Sequence, residues 1–209
     1  MRRSTWMGFA ATCAIFAVSA FGAATLSVTS PGLDGTNFKL NVALNGAAGG
    51  PAYVQDNSTN NEGTYRALFW MNANTFSSGG SQASHTIFSG HNPGDGVAVF
   101  RVDMYQLAGG TNRIRAACRR NDGTYARTTL ITIDQNGTVV PRQVQIEWAA
   151  GNGTGFCRLT RFGGNNPVVE VNNLTNDTLS IRRVRLGAVN GIDAGTTGAY
   201  HLDEFESYR

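Results

Sequence analysis

Alternation with a period of two dominates this chain and sets the limit on what it can fold into. Phe38, Leu40, Val42 and Leu44 alternate with Lys39, Asn41 and Ala43. Ile114, Ala116 and Cys118 alternate with Arg113, Arg115 and Arg119. Val144, Ile146 and Trp148 alternate with Gln143, Gln145 and Glu147, and Val184, Leu186 and Ala188 with Arg183 and Arg185. Side chains two apart share one face of an extended strand, so each run predicts a strand with one buried side. Thr64 to Asn72 is apolar on both faces and reads as a central strand.

Turn chemistry separates these runs: Asn92 to Gly96, Asn121-Asp122-Gly123, Asn136-Gly137, Gly151-Asn152-Gly153 and Asp193 to Gly198. Asn-Gly and Asp-Gly tolerate positive φ and favour tight hairpins. Ten to twelve short strands do not remain one open sheet. Two stacked antiparallel sheets bury one face of each, so the expected fold is an all-β, two-sheet antiparallel sandwich. No heptads, internal repeat or interdomain linker is present. One domain is expected over 25–209.

Residues 1–24 read as a signal peptide, with Arg2 and Arg3 as the positive segment, an uncharged run from Trp6 to Phe21, and small residues after it. Secretion to the extracellular space or periplasm follows as an expectation, with no membrane attachment once the signal is removed. The 17 basic and 14 acidic residues become 15 and 14 without Arg2 and Arg3. That near-neutral balance withdraws compositional support for a nucleic-acid partner. Cys118 and Cys157 then form an even pair, and in an exported protein such a pair predicts a disulfide.

Several segments carry a family resemblance. Thr64 to Asn72, Thr86-Ile87-Phe88-Ser89-Gly90, Val144 to Trp148 and Phe156-Cys157-Arg158-Leu159 follow one another in order. Val184-Arg185-Leu186-Gly187-Ala188, the Gly195 to Gly198 loop and Tyr200-His201-Leu202-Asp203-Glu204-Phe205 close the series. Their order resembles the concanavalin A-like lectin/glucanase superfamily, particularly bacterial laminin G-like domains. The resemblance implies a jelly roll. It also implies a rim calcium site, for which Asp203 and Asp193 are the candidate ligands; hard oxygen donors suit that ion. Fold does not fix function, because this architecture hosts lectins, hydrolases, lyases and adhesion modules.

Glycoside hydrolysis needs two carboxylates across a sugar bond. The superfamily's E-x-D-x-x-E segment is absent; the nearest cluster is Asp203, Glu204 and Glu206, with Glu204 and Glu206 expected on one strand face. Gln145-Ile146 is followed by Glu147, where the alginate-lyase pattern has His. The expected function is therefore a secreted, non-catalytic module for carbohydrate or extracellular matrix. The alternatives are a self-associating surface protein and a glycan-active hydrolase without a recognisable motif. Binding candidates come from an arginine stripe that includes Arg115, Arg183 and Arg185. Guanidinium groups suit carboxylate or sulfate, and hence an acidic polysaccharide. Tyr53, Tyr105, Tyr125 and Tyr200 lie nearer strand ends, and Tyr200 joins the binding set as a rim aromatic. Trp70 and Trp148 are expected in the core.

Overall fold

The computed structural model describes residues 3–5, 22–79, 84–94, 96–134 and 138–209. Each alternating run becomes a strand. In chain order these are β1 (Arg3–Thr5), β2 (Ala24–Thr29), β3 (Lys39–Asn45), β4 (Ala52–Glu62), β5 (Thr64–Asn72), β6 (His85–His91), β7 (Ala98–Gln106) and β8 (Asn112–Arg119). They continue as β9 (Tyr125–Arg127), β10 (Ile131–Thr132), β11 (Arg142–Ala149), β12 (Asn152–Arg161), β13 (Val168–Thr175), β14 (Ile181–Asn190) and β15 (Thr197–Tyr208).

The strands form two antiparallel sheets. The eight-stranded sheet runs β13-β12-β11-β5-β15-β3-β2, with β1 also beside β15. The seven-stranded sheet runs β10-β8-β7-β6-β14-β4, with β9 beside β8. The two sheets make the expected antiparallel β-sandwich, consistent with a jelly roll. The apolar run at 6–21, on which the signal-peptide expectation rests, lies outside the described residues.

The inward sets of the alternating runs supply the core, except Phe38, which precedes β3 and is 59% exposed. Ala67, Phe69, Val144, Ile146 and Leu159 from the larger sheet meet Phe88, Phe100, Val102, Ile114 and Ala116 from the smaller, all fully buried. Phe88 stands at the centre, with its ring 5.5 Å from those of Phe69, Phe100 and Phe205. Gly90 is required beside it, because a Cβ there would come 2.4 Å from the Phe100 ring. The expected Cys118–Cys157 disulfide forms, with Cα atoms 6.3 Å apart. It joins β8 to β12, and therefore one sheet to the other. In the chain-entropy model a loop of this length contributes about 4 kcal/mol.

Three side chains depart from their expected places. Trp148 is core, but Trp70 faces outward and is half-buried. Tyr200 is fully buried between the sheets rather than at a rim; its hydroxyl lies 2.9 Å from His85 Nε2. It continues the inward phase set by Leu202, which outweighs its nearness to a strand end. A bulge in β15 breaks strict alternation after Asp203, since Asp203 pairs Trp70 while Glu206 pairs Leu68. Glu204 sits in the left-handed region at φ 46°. Phe205 therefore turns inward, and Asp203 and Glu206 share the outer face. This corrects the expectation that Asp203 opposes Glu206.

Candidate functional site

The two outer faces of the sandwich carry different charge patterns. On the larger sheet the register aligns Glu170, Arg158, Glu147, Arg66 and Tyr208 across five strands. Signs alternate along this row. Arg158 Nε lies 2.9 Å from Glu170, its Nη1 lies 3.5 Å from Glu147, and the Arg66 guanidinium sits 4.1 Å over the Tyr208 ring. The hydrogen bond to Glu170, followed by the pull of Glu147, raises the Arg158 pKa. The charges on this row largely satisfy one another.

The outer face of the smaller sheet is built differently. Because Ile114, Ala116 and Cys118 of β8 point inward, Arg113, Arg115 and Arg119 point out. The β7–β8 register sets Tyr105 beside Arg113, Asp103 beside Arg115 and Arg101 beside Ala117, and β9 sets Arg127 on the other side of Ala117. Across β6, Ser89 separates Arg101 from Arg185, and His91 stands beside Arg183. Edge strand β4 adds Tyr53, Gln55 and Asn57. Adjacent strands are about 4.8 Å apart, so the row from Gln55 to Arg127 spans about 24 Å. Arg115, Arg183 and Arg185 thus share one face. Arg158 and Arg161, on β12, belong to the other sheet.

Tyrosine rings hold these guanidinium groups in place. Arg115 lies 4.5 Å over Tyr105, Arg101 4.9 Å over Tyr125, and Arg185 4.6 Å over Tyr53. Stacking of this kind costs the guanidinium none of its in-plane donors. Arg185 Nε donates to Gln55 at 2.9 Å, while Arg113 Nε and Arg115 Nε are buried without a hydrogen-bond acceptor. Among the described strand residues of this face, the one carboxylate is Asp103. It is 1% exposed and accepts a hydrogen bond from Thr86 Oγ1 at 2.8 Å. Burial raises its pKa, against the opposing pull of Arg101, the Thr86 hydrogen bond, Arg115 and Arg127. Positive charge therefore exceeds negative across the face.

Sequence reasoning missed Arg101, Asp103 and Arg127. The signal was present, since Arg101, Asp103 and Tyr105 alternate along β7. What was lacking was the pairing that sets β7 against β8.

The calcium candidates are engaged separately. Asp203 Oδ2 accepts from the Leu33 amide at 2.8 Å and from the Thr36 hydroxyl, and its Oδ1 accepts from the Glu204 amide at 2.9 Å. The carboxylate fastens the 31–38 loop to β15. Asp193 is exposed in the turn before β15, where its carbonyl accepts from the Thr196 amide at 3.1 Å. Among the described residues, no three His, Cys, Asp or Glu side chains gather as a metal site. Beside Asp203, Trp70 hydrogen-bonds the Glu204 carboxylate. Partial burial, then Asp203, Asp34 and Glu206, raise the Glu204 pKa.

No protein-family model matches the chain, and no curated protein matches it in sequence. Solved structures do match in fold. An alginate lyase from Pseudomonas aeruginosa superposes with a TM-score of 0.53 at 10% identity, over 82% of each chain. A variant of alginate lyase A1-II' gives 0.52 at 12% identity, over 88% of this chain and 80% of that one. The chain spans 58% of the length of the alginate lyase from Klebsiella pneumoniae, at a TM-score of 0.46. Sandwiches that carry alginate lyases therefore share this fold, and they overturn the expectation of a non-catalytic module. A missing carboxylate motif gives no ground for setting catalysis aside.

Proposed function

We propose that this chain is an extracellular glycan-recognising sandwich, of binding or glycan-processing kind, that takes an acidic polysaccharide along the outer face of the seven-stranded sheet. The observation that carries the reading is the unbalanced face itself, with Arg101, Arg115 and Arg185 stacked on tyrosines, the Nε groups of Arg113 and Arg115 without an acceptor, and one buried carboxylate among its described strand residues. Carboxylate or sulfate groups can accept bidentate hydrogen bonds from such guanidiniums. Sugar rings can stack on the half-buried, amphipathic Tyr53 and Tyr125. Neutral glycans would leave the guanidinium groups without counter-charge. The inter-sheet disulfide supports an oxidising, extracellular setting.

The test is retention on immobilised alginate, polygalacturonate and a sulfated glycan, against a neutral glucan, as salt is raised. Retention on the acidic polymers alone, weakening with salt, is the expected outcome. Equal retention on the neutral glucan, or none on any polymer, would overturn the reading.

A processing activity has its candidates on the opposite face. Glu204, with its raised pKa, and Glu206 flank Trp70 and Leu68 on the larger sheet. A carboxyl whose pKa is raised holds its proton more readily than an ordinary one, the direction a general acid requires. Release of new chain ends from an acidic polymer, abolished by Glu204→Gln, supports this second reading; release that Glu204→Gln leaves intact removes Glu204 from it.

A further inference from the structure

Asp103 is the anomaly of the arginine face. A carboxylate placed only to hold strands together would be aligned with its donors. Here Oδ1 accepts from Thr86, but Oδ2 has no hydrogen-bond donor. Arg101 Nε lies 3.1 Å from Oδ2, yet off the line of a hydrogen bond, so the contact is Coulombic. Arg115 from β8 and Arg127 from β9 add their fields from the other side. A buried carboxylate is thus surrounded by cations and only half satisfied by donors.

The groups around it come from every neighbouring strand. Its own β7 contributes Arg101 and Tyr105, β6 contributes Thr86 with Ser89 and His91 along the same face, and β8 contributes Arg113 and Arg115. Arg127 lies on β9, and Arg185 lies beyond Ser89 on β14. Apart from Asp103, the titratable groups of this set besides the arginines are His91 and Tyr105. No other carboxylate on the described strands of the face competes for these cations.

Resting on the reading that this face takes a polyanion, we infer that Asp103 is its resident counter-ion and couples anion binding to the uptake of a proton. An arriving carboxylate or sulfate takes over the guanidiniums that now neutralise Asp103. The aspartate then faces a new negative charge and loses part of its compensation. Both changes favour the neutral acid, and a proton from solvent adds to a carboxylate oxygen of Asp103. Binding therefore tightens as pH falls, while the protein's guanidiniums stay charged throughout. Burial already holds Asp103 toward its protonated form in the free protein, which brings the coupling nearer to physiological pH.

The test uses a dextran sulfate oligosaccharide, whose sulfates stay ionised across the range from about pH 4 to about pH 8, so that the ligand itself does not titrate. Calorimetry in two buffers of different ionisation enthalpy measures proton uptake by the wild type, without any variant. Net uptake on binding is expected, with affinity rising as pH falls. Asp103→Asn keeps the shape and the Thr86 contact, and removes one opposing charge. It should bind roughly three- to tenfold tighter near neutral pH, lose most of the pH dependence and take up no proton, the size expected from one unit charge at a partly screened distance. His91→Gln should leave the uptake in place.

If the wild type binds and Asp103→Asn still takes up a proton, or binds no tighter, the Asp103 inference falls while the polyanion face stands. A wild type that binds no sulfated polymer at low salt overturns both. An Asp103→Asn protein that melts lower and binds as the wild type does would show Asp103 to be structural only.

Discussion

At the scale of single residues, the interior carries one titratable pair that composition alone did not foretell. His85 is 2% exposed, its Nε2 lies 2.9 Å from the Tyr200 hydroxyl, and its Nδ1 has no partner. Burial lowers its pKa to about 4. In the unfolded chain the same imidazole titrates near 6.5. The unfolded state therefore binds the proton first, and stability falls as pH drops from about 6.5 through about 4. The loss should approach 3 kcal/mol at the lower end. His85→Leu should lose the imidazole's share of that slope in chemical denaturation, so that its stability rises relative to wild type as pH falls from about 6.5 to about 4. A wild-type curve with no such slope would contradict the buried, neutral imidazole. Tyr200→Phe should cost about 1–3 kcal/mol by orphaning the His85 nitrogen. A neutral result there would show that water or another group satisfies it.

At the scale of strands, the period-two pattern located most elements, because a half-buried strand leaves a clear imprint on the sequence. It placed β3, β8, β11 and β14 with their inward sets, and grouped Arg113 with Arg115 and Arg183 with Arg185. Two kinds of feature escaped it. The first is the phase change at Glu204, since a bulge inserts a residue without any Gly or Pro to announce it. The second is sheet membership: Arg158 and Arg115 look alike in sequence, yet lie on opposite outer faces. The bulge has a direct test. Phe205→Ala should cost about 3 kcal/mol, because the ring is packed against Phe88, whereas Glu206→Ala should change stability by less than about 1 kcal/mol. The reverse order would restore strict alternation in β15 and move Glu206 inward.

At the scale of the whole molecule, two sheets are held together by an aromatic core and by one covalent bridge between β8 and β12. Reduction, or Cys118→Ala with Cys157→Ala, should lower stability by about 4 kcal/mol while leaving the far-ultraviolet strand signal intact. Retained stability would mean that packing alone secures the sheets. The sandwich was legible as a class because alternation plus turn chemistry admits few architectures. The binding face was legible only in part. Arg113, Arg115, Arg183 and Arg185 were visible in sequence, but Arg101, Arg127, the shared side, the stacked tyrosines and Asp103 depend on long-range register. Alginate lyases of the same fold withdrew the non-catalytic expectation drawn from missing motifs, because a motif search tests a pattern and not a chemistry.

The most direct measurement compares the two faces in one binding experiment. Arg115→Ser, Arg183→Ser and Arg185→Ser, combined on the smaller sheet, are set against Arg66→Ser with Arg158→Ser on the larger, and the affinity for an acidic polysaccharide is followed against salt. The first set should weaken binding at least tenfold and flatten its salt dependence, because fewer counterions are released, while the second leaves both near wild type. Equal losses from the two sets, or a salt dependence untouched by the first, would contradict an anionic glycan held on the arginine–tyrosine face.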